Sequence, residues 1–490
     1  MGKSIIIIGA GIGGLSAGCY AMKNDYNVDI FEMHSSPGGV CTSWNRKGYT
    51  FDYCIHHLAG TKSGSLLYSM WEELGAMPSE VIFPQSLTSV EDFRENVFNV
   101  YYDFEKLKKE MIMIAPNDTE VIEKYIAVLK DASKIDLLEI GHWKTKHWLK
   151  KFFHIMKLMK WGKVTMKQFG EKFSDPIMRR FFPTIQYDWE YIPILLHLNI
   201  HAGVREKKYG WYKGGSLRFS QNIAKKFRDL GGNINLNSKV SKILTKNDAA
   251  VGIKLKDGTE HYADYIISNA YEYNTIMKLL DGKYMTRKMK ERYLKPGERM
   301  VMGLHVFFGV DRDLSDEPPS IVLFLDKPLE IAGEKRQKLH LEFYGFDSSM
   351  APNGKGVIKA IFDTEYSYWV ELYKDKVKYK EKKEEIAEKI IEVLKKRFPK
   401  INEQIEVVDV TTPVTAERFT ASSRPYGDKI TFSPKEMLKT MFNKPATLTG
   451  LNKFYMIGQS VGGAGIPGCA AMGKNVIKKI CKADKIKFSS

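Results

Sequence analysis

The chain opens with a β-branched run, Lys3-Ser4-Ile5-Ile6-Ile7-Ile8, that leads directly into Gly9-Ala10-Gly11-Ile12-Gly13-Gly14. Glu32 follows, closing the run Asn27-Val28-Asp29-Ile30-Phe31-Glu32. The order predicts a strand, a glycine turn, a helix from Leu15 to Lys23, a second strand and an acid, which is a dinucleotide-binding unit in its structural context. Each residue has a physical task. Gly9 allows the tight turn, Gly11 lets backbone approach a pyrophosphate, and Gly14 lets the helix pack close to the strand. Free N–H groups at the helix start and the helix dipole then favour phosphate. Glu32 is placed to accept from ribose hydroxyls, and its charge would repel a 2′-phosphate. Such a site delegates the hard chemistry to a cofactor.

At 490 residues the chain is too long for one simple core, so two interleaved domains are expected. No apolar run is long enough for a transmembrane helix. The apolar start is the first strand rather than a signal peptide. The five cysteines, Cys19, Cys41, Cys54, Cys469 and Cys481, show no paired spacing, so a reducing compartment without a disulfide framework is expected. No Cys/His cluster has zinc spacing, and no metal is expected.

Net charge is +17. A lysine-rich proteome would produce this, as would an anionic membrane partner; no nucleic-acid motif accompanies the charge, and no such partner is expected. Between Lys144 and Lys172 nine lysines face a single acid, Glu171, with Trp143, Trp148 and Trp161 among them. At helical spacing, Trp148, Leu149, Phe152, Phe153, Ile155, Met156 and Met159 share one side, with Lys150, Lys151, His154 and Lys157 opposite. An in-plane membrane helix has this pattern, and so does a helix whose apolar face packs on the core. The expected location is cytoplasmic, with peripheral contact on the inner face of a membrane through 143–172.

Further on stand Ser36-Pro37-Gly38-Gly39-Val40-Cys41 and Gly48-Tyr49-Thr50-Phe51-Asp52-Tyr53-Cys54-Ile55-His56-His57. An acid, then Gly-Gly, then Gly-Tyr-x-Phe-Asp resembles the FAD-dependent phytoene desaturase and carotenoid isomerase group. The retinol saturases belong to it, and amine oxidases are more distant relatives. Two other blocks share the resemblance. One runs from Gly210-Trp211-Tyr212-Lys213-Gly214-Gly215-Ser216 to the strand ending at Asn269-Ala270. The other runs from Phe454 through Gly458-Gln459-Ser460 to Gly465-Ile466-Pro467-Gly468. The resemblance implies FAD as cofactor. It implies that Gly9, Gly11, Gly14, Glu32, Gly38, Gly39 and Val240 hold the nucleotide part, with Val240 meeting adenine through its backbone. It implies that Gly458, Gln459, Gly465, Pro467 and Gly468 approach the flavin. Two positions depart from the family: Val40 stands where many relatives have Arg, and Cys54 where many have Gly.

The implied fold is α/β: a Rossmann-like FAD-binding domain of the GR2 flavoprotein type, interleaved with an α+β substrate domain on a mainly antiparallel sheet. The expected boundaries are 1–75, 205–295 and 445–490 for the FAD domain, and 76–204 and 296–444 for the substrate and membrane-facing domain. Gly303 to Gly309, Leu339 to Phe343 and Val357 to Phe362 are predicted strands of that sheet. The implied activity is oxidoreduction of a long apolar polyene or isoprenoid by hydride transfer at flavin N5, as desaturation, isomerisation or saturation. A flavin amine oxidase on a soluble amine, and a prenyl or lipid carrier like the Rab GDP-dissociation inhibitors, are the alternatives. His56 and His57 are the candidate acid/base residues, because histidine titrates in the useful range. Electrons would pass to or from quinone, oxygen or a protein.

Overall fold

The structure is a computed structural model that describes residues 2–92, 97–142, 145–185, 187, 190–294, 301–422, 442–463 and 465–490. A parallel sheet forms from segments far apart in sequence. Its strands lie in the order Asn233–Asn235, Asn27–Phe31, Ser4–Ile8, Tyr265–Ser268 and Phe454–Met456. Ile5, Ile6, Ile7 and Ile8 are all buried. An uninterrupted apolar strand is what a parallel sheet covered on both faces requires. The first helix, Ile12–Met22, packs against the closing helix, Gly465–Ala483. Their approach is close: a Cβ on Gly473 would lie 2.5 Å from the Gly13 carbonyl oxygen, and Ser16 Oγ donates to the Ala470 carbonyl at 2.7 Å.

A seven-stranded sheet forms the second layer system. Its order is Ile405–Thr411, Val301–Val310, Gly356–Glu365, Glu334–Phe343, Ser320–Ile331, Ser86–Asp92 and Val97–Tyr101. Only the pairing of Ser320–Ile331 with Ser86–Asp92 is parallel. The predicted strands all fall within it. Alternation sorts its side chains. Leu304, Val306, Phe308, Leu339, Leu341, Phe343, Ile358, Ala360 and Phe362 share one core with Ile386, Ile390 and Leu394 of the helix Lys376–Arg397. His305, Phe307, His340, Glu342 and Lys359 hold the intervening positions, and they too are buried.

What covers that second face is a hairpin, Ser43–Arg46 with Tyr49–Asp52. Lys47 and Gly48 form its turn, both at positive φ (51° and 90°). Two such residues define a type I′ turn, whose twist suits a two-residue hairpin and which asks for glycine. Tyr49 and Phe51 of the hairpin share a core cluster with Phe307, Tyr344 and Val357. A helical region, including Phe104–Ile114, Thr119–Ala132, Thr145–Met159 and Ile194–Arg205, completes the chain. None of the described helices is long and apolar enough to cross a membrane.

Candidate functional site

The strand Ser4–Ile8 runs into Gly9, and the helix behind it begins after Gly11, which offers no side-chain cap. Its first-turn N–H groups are therefore available to an anion. Gly14 has no room for a side chain, since a Cβ there would fall 2.1 Å from the Gly9 carbonyl oxygen. The Gly38-Gly39 segment lies against this turn: Gly38 bridges to Gly11, and its N–H donates to the Ala10 carbonyl at 2.9 Å. Gly39 adopts φ +62°, and a Cβ on it would meet Gly11 Cα at 3.6 Å. Two glycine turns from different segments thus form a backbone-lined cradle that side chains would fill.

Glu32 is buried at the edge of this cradle. Its carboxylate accepts from the backbone N–H groups of Ala10 (2.8 Å) and His34 (2.9 Å). Burial pushes its pKa up, while those two bonds oppose the shift. Ser238 N–H donates to the Glu32 carbonyl at 2.8 Å, which brings Val240 alongside, in one apolar cluster with Ile8 and Phe31. On the far side Gly458 turns at φ +102° into Gln459, and Gly465, Pro467 and Gly468 open the closing helix. Asn269, which the sequence marked only as a strand end, braces both turns. Its side-chain amide lies 2.9 Å from a Cβ built on Gly11 and 2.8 Å from one built on Gly458.

Between the hairpin end and the large sheet sits a polar cluster with Glu342 at its centre. Glu342 Oε1 lies 2.6 Å from His56 Nδ1 and accepts from Tyr187 Oη at 2.9 Å. Its Oε2 accepts from Tyr344 Oη at 2.7 Å and lies 3.3 Å from Lys359 Nζ. Tyr187 Oη also meets His56 Nδ1 at 2.9 Å. Lys359 is wholly buried, at 0% exposure. Burial alone would raise the Glu342 carboxyl; His56 and Lys359 overcome it and hold the group well below the usual carboxylate range. Asp52 is buried beside them and accepts from Ser216 N–H at 2.5 Å and Ser216 Oγ at 2.8 Å. Burial raises its pKa against the opposing field of Lys359.

His56 and His57 are adjacent but differ. His57 Nε2 lies 3.0 Å from Tyr102 Oη, and burial drives its pKa down to about 4. His56 is a third exposed and joined to a carboxylate and a phenol. Its partners Glu342 and Tyr187, and the Lys359 and Tyr344 that hold the other oxygen of Glu342, were not singled out from sequence. The one available signal was the alternation in Leu339-His340-Leu341-Glu342-Phe343.

The basic helix is Thr145–Met159. Leu158 is buried and Ile155 partly so, whereas Leu149, Phe152, Phe153 and Met156 are exposed at 74%, 51%, 76% and 56%. The helix is anchored by His154 and Lys157, which pair with Asp131 at 3.4 and 3.6 Å. The expected apolar stripe therefore faces outward along most of its length, and Ile155 with Leu158 makes the inner contact. Trp143 and Lys144 lie outside the described residues, as do the side chains of Trp148 and Lys150.

The profile of the NAD(P)-binding Rossmann-like domain family matches residues 7–74. Prolycopene isomerase from Arabidopsis thaliana is 26% identical over 473 residues, covering 93% of this chain and 78% of that protein. The neurosporene-forming phytoene desaturase of Rhodobacter capsulatus is 25% identical over 523 residues, covering 99% and 95%. A putrescine oxidase structure superposes with a TM-score of 0.60 at 13% identity, covering 99% of each chain. The relatives along nearly the whole chain, together with the Rossmann-like domain and its glycine cradle, identify an FAD-dependent oxidoreductase. Along nearly its whole length the chain is similar to the phytoene desaturase, carotenoid isomerase and retinol reductase group, and it shares its fold with the flavin amine oxidases.

Proposed function

We propose that the protein acts on a long apolar polyene or isoprenoid, changing the order or geometry of its carbon–carbon double bonds. The observation that carries this reading is similarity along nearly the whole chain to enzymes named for carotenoids, from 93% of it to 99%. The amine oxidase alternative draws only on a likeness of fold at 13% identity. The outward apolar face of Thr145–Met159, set among lysines, supports capture of such a substrate from an anionic membrane surface, at the inner leaflet of the cell.

Bound FAD would supply hydride exchange at N5. In this reading Glu32 receives the ribose hydroxyls, the segments of Gly9, Gly11, Gly14, Gly38 and Gly39 line the pyrophosphate, and Val240 meets adenine. Gly458, Gln459, Gly465, Pro467 and Gly468 line the flavin end. His56 holds the proton that the reaction moves, with Glu342 and Tyr187 fixing its ring through Nδ1 and leaving Nε2 for the substrate side. His57 acts structurally, because burial keeps it neutral. On this reading 1–75, 205–295 and 445–490 bind the cofactor, and 76–204 and 296–444, which supply the seven-stranded sheet, serve the substrate.

The test is direct. The FAD-loaded protein, oxidised or reduced with dithionite, is mixed with phytoene or prolycopene in liposomes containing phosphatidylglycerol, and the polyene spectrum is followed. A shift in polyene absorption supports the reading. Turnover of putrescine with both polyenes unchanged would overturn it in favour of amine oxidation.

A further inference from the structure

The spacing of the cysteines shows no pairing, yet the fold creates one. The Lys47-Gly48 turn fixes the hairpin register: Arg46 faces Tyr49, Asn45 Thr50, Trp44 Phe51 and Ser43 Asp52. Tyr53 N–H continues the ladder by donating to the Thr42 carbonyl at 3.1 Å. One step further, Cys41 stands opposite Cys54. In a two-residue hairpin the pairs alternate outward from the turn between hydrogen-bonded and non-hydrogen-bonded, so the register, extended past the last ladder pair, gives Cys41 and Cys54 a non-hydrogen-bonded position, and their N–H groups indeed bond elsewhere, to the Gly38 carbonyl and Asp52 Oδ1. Such pairs bring Cα atoms to about 4.5 Å, with side chains on one face. That lies within the window of about 4.4–6.8 Å that a disulfide spans. Cys41 Sγ donates to the Ser216 carbonyl at 3.5 Å, and the backbone N–H of Ile55, next to Cys54, donates to Ser216 Oγ at 2.8 Å, so one serine draws both cysteine segments together.

We propose that Cys41 and Cys54 are a redox-active dithiol that closes reversibly into a disulfide in the folded protein. The pair occupies a consequential place. Cys41 follows Gly38-Gly39 of the cofactor cradle, and Cys54 precedes His56 by two residues. The bond would tie these two segments together. The order of events follows from exposure. Cys54 is partly exposed and Cys41 is buried. Burial, then the neighbouring Cys54 thiol, holds Cys41 protonated well above the ordinary thiol range. The Cys54 thiolate therefore attacks first, on a small-molecule disulfide, giving a mixed disulfide and releasing one thiolate. Cys41 then gives up its proton and attacks Cys54 Sγ, releasing the second thiol. Overall, a protein dithiol and one external disulfide become a protein disulfide and two external thiols.

Cys469 is the competitor, since its thiol also lies within electrostatic reach of Cys54. The experiment takes the FAD-loaded full chain, reduced and then treated with oxidised glutathione. Intact mass and non-reducing peptide mapping are the readouts, so neither activity nor substrate enters. The expected wild-type product has lost two hydrogens, holds no glutathione, yields a Cys41–Cys54 linked peptide, and reverts with dithiothreitol. Cys41→Ser, lacking the resolving thiol, should instead retain one glutathione on Cys54. A Cys54–Cys469 link, or a wild-type chain that keeps its hydrogens or a stable glutathione adduct, would overturn the proposal. The wild-type result decides the matter even if the variant fails to fold.

Discussion

Replacing Glu342 by Gln tests whether the buried cluster is held together by charge. The carboxylate faces Lys359, which has no exposed surface, at 3.3 Å, and His56 at 2.6 Å. Gln keeps the shape and one acceptor for the phenols of Tyr344 and Tyr187, so the main loss is the charge. Breaking one partner out of a buried pair costs about 3–5 kcal/mol, because the other charge is left buried without compensation. Asp52 remains near enough to feel Lys359, which places the expected cost at the lower end, about 3 kcal/mol. That is a drop of more than about 100-fold in the folding constant. Lys359→Met should cost a comparable amount on its own. The double variant removes both charges, so it should be less destabilised than the sum of the singles by about 2 kcal/mol. Urea unfolding of the four proteins, followed by fluorescence, measures this. Effects that add to within about 0.5 kcal/mol would refute the coupling, since that is the behaviour of independent sites.

Gly14→Ala places a methyl 2.1 Å from the Gly9 carbonyl oxygen, so the helix start must lift from the turn. Overpacking of this kind costs about 1–3 kcal/mol, and FAD titration of the apoprotein should show binding weakened at least about fivefold; an unchanged Kd would sink the assignment of that turn. Stability should fall on acidification. Burial lowers His201 and His57 to about 4 and holds His197 and His305 well below their ordinary value. The unfolded chain takes up these protons from about pH 6.5, so the stability present above that pH is lost on the way down to about 4. His201 alone contributes about 3 kcal/mol. Asp136, raised by burial to about 6, acts in the opposite sense and offsets roughly one histidine, so a urea midpoint that rises between pH 6.5 and 4 would contradict the balance. Phe152→Glu with Phe153→Glu should cut flotation with anionic liposomes at least about tenfold, as two exposed rings are lost to the interface. Equal flotation of both proteins would remove this face from the membrane.

The parts of the molecule that were legible in sequence are those whose cause is local. Gly9 to Gly14 must be glycine-rich because backbone meets backbone there, and Ile5 to Ile8 must be apolar because both sheet faces are covered. Both patterns sit in one short stretch of chain, so the dinucleotide fold could be read directly, whereas the flavin class came from the family resemblance.

The polar cluster was not legible, and the reason is physical. Period-two alternation distinguishes the two faces of a strand but does not say what covers them. In Leu339 to Phe343 the positions of His340 and Glu342 have the pattern of a solvent face, and Lys359 between Ile358 and Ala360 has the same one. They are buried because the hairpin carrying Tyr49 and Phe51 folds across that face, from a segment remote in the chain. The same hairpin sets Cys41 against Cys54 and delivers His56 to Glu342. One short element, its register fixed by the turn at Lys47 and Gly48, therefore decides three features at once: a covered charge pair, a positioned histidine and a thiol pair. An inserted residue in that turn would shift the cross-strand register and rotate side chains beyond it to the opposite face. It should disturb all three together, whereas a substitution at Glu342 disturbs the first two and leaves the thiols in place.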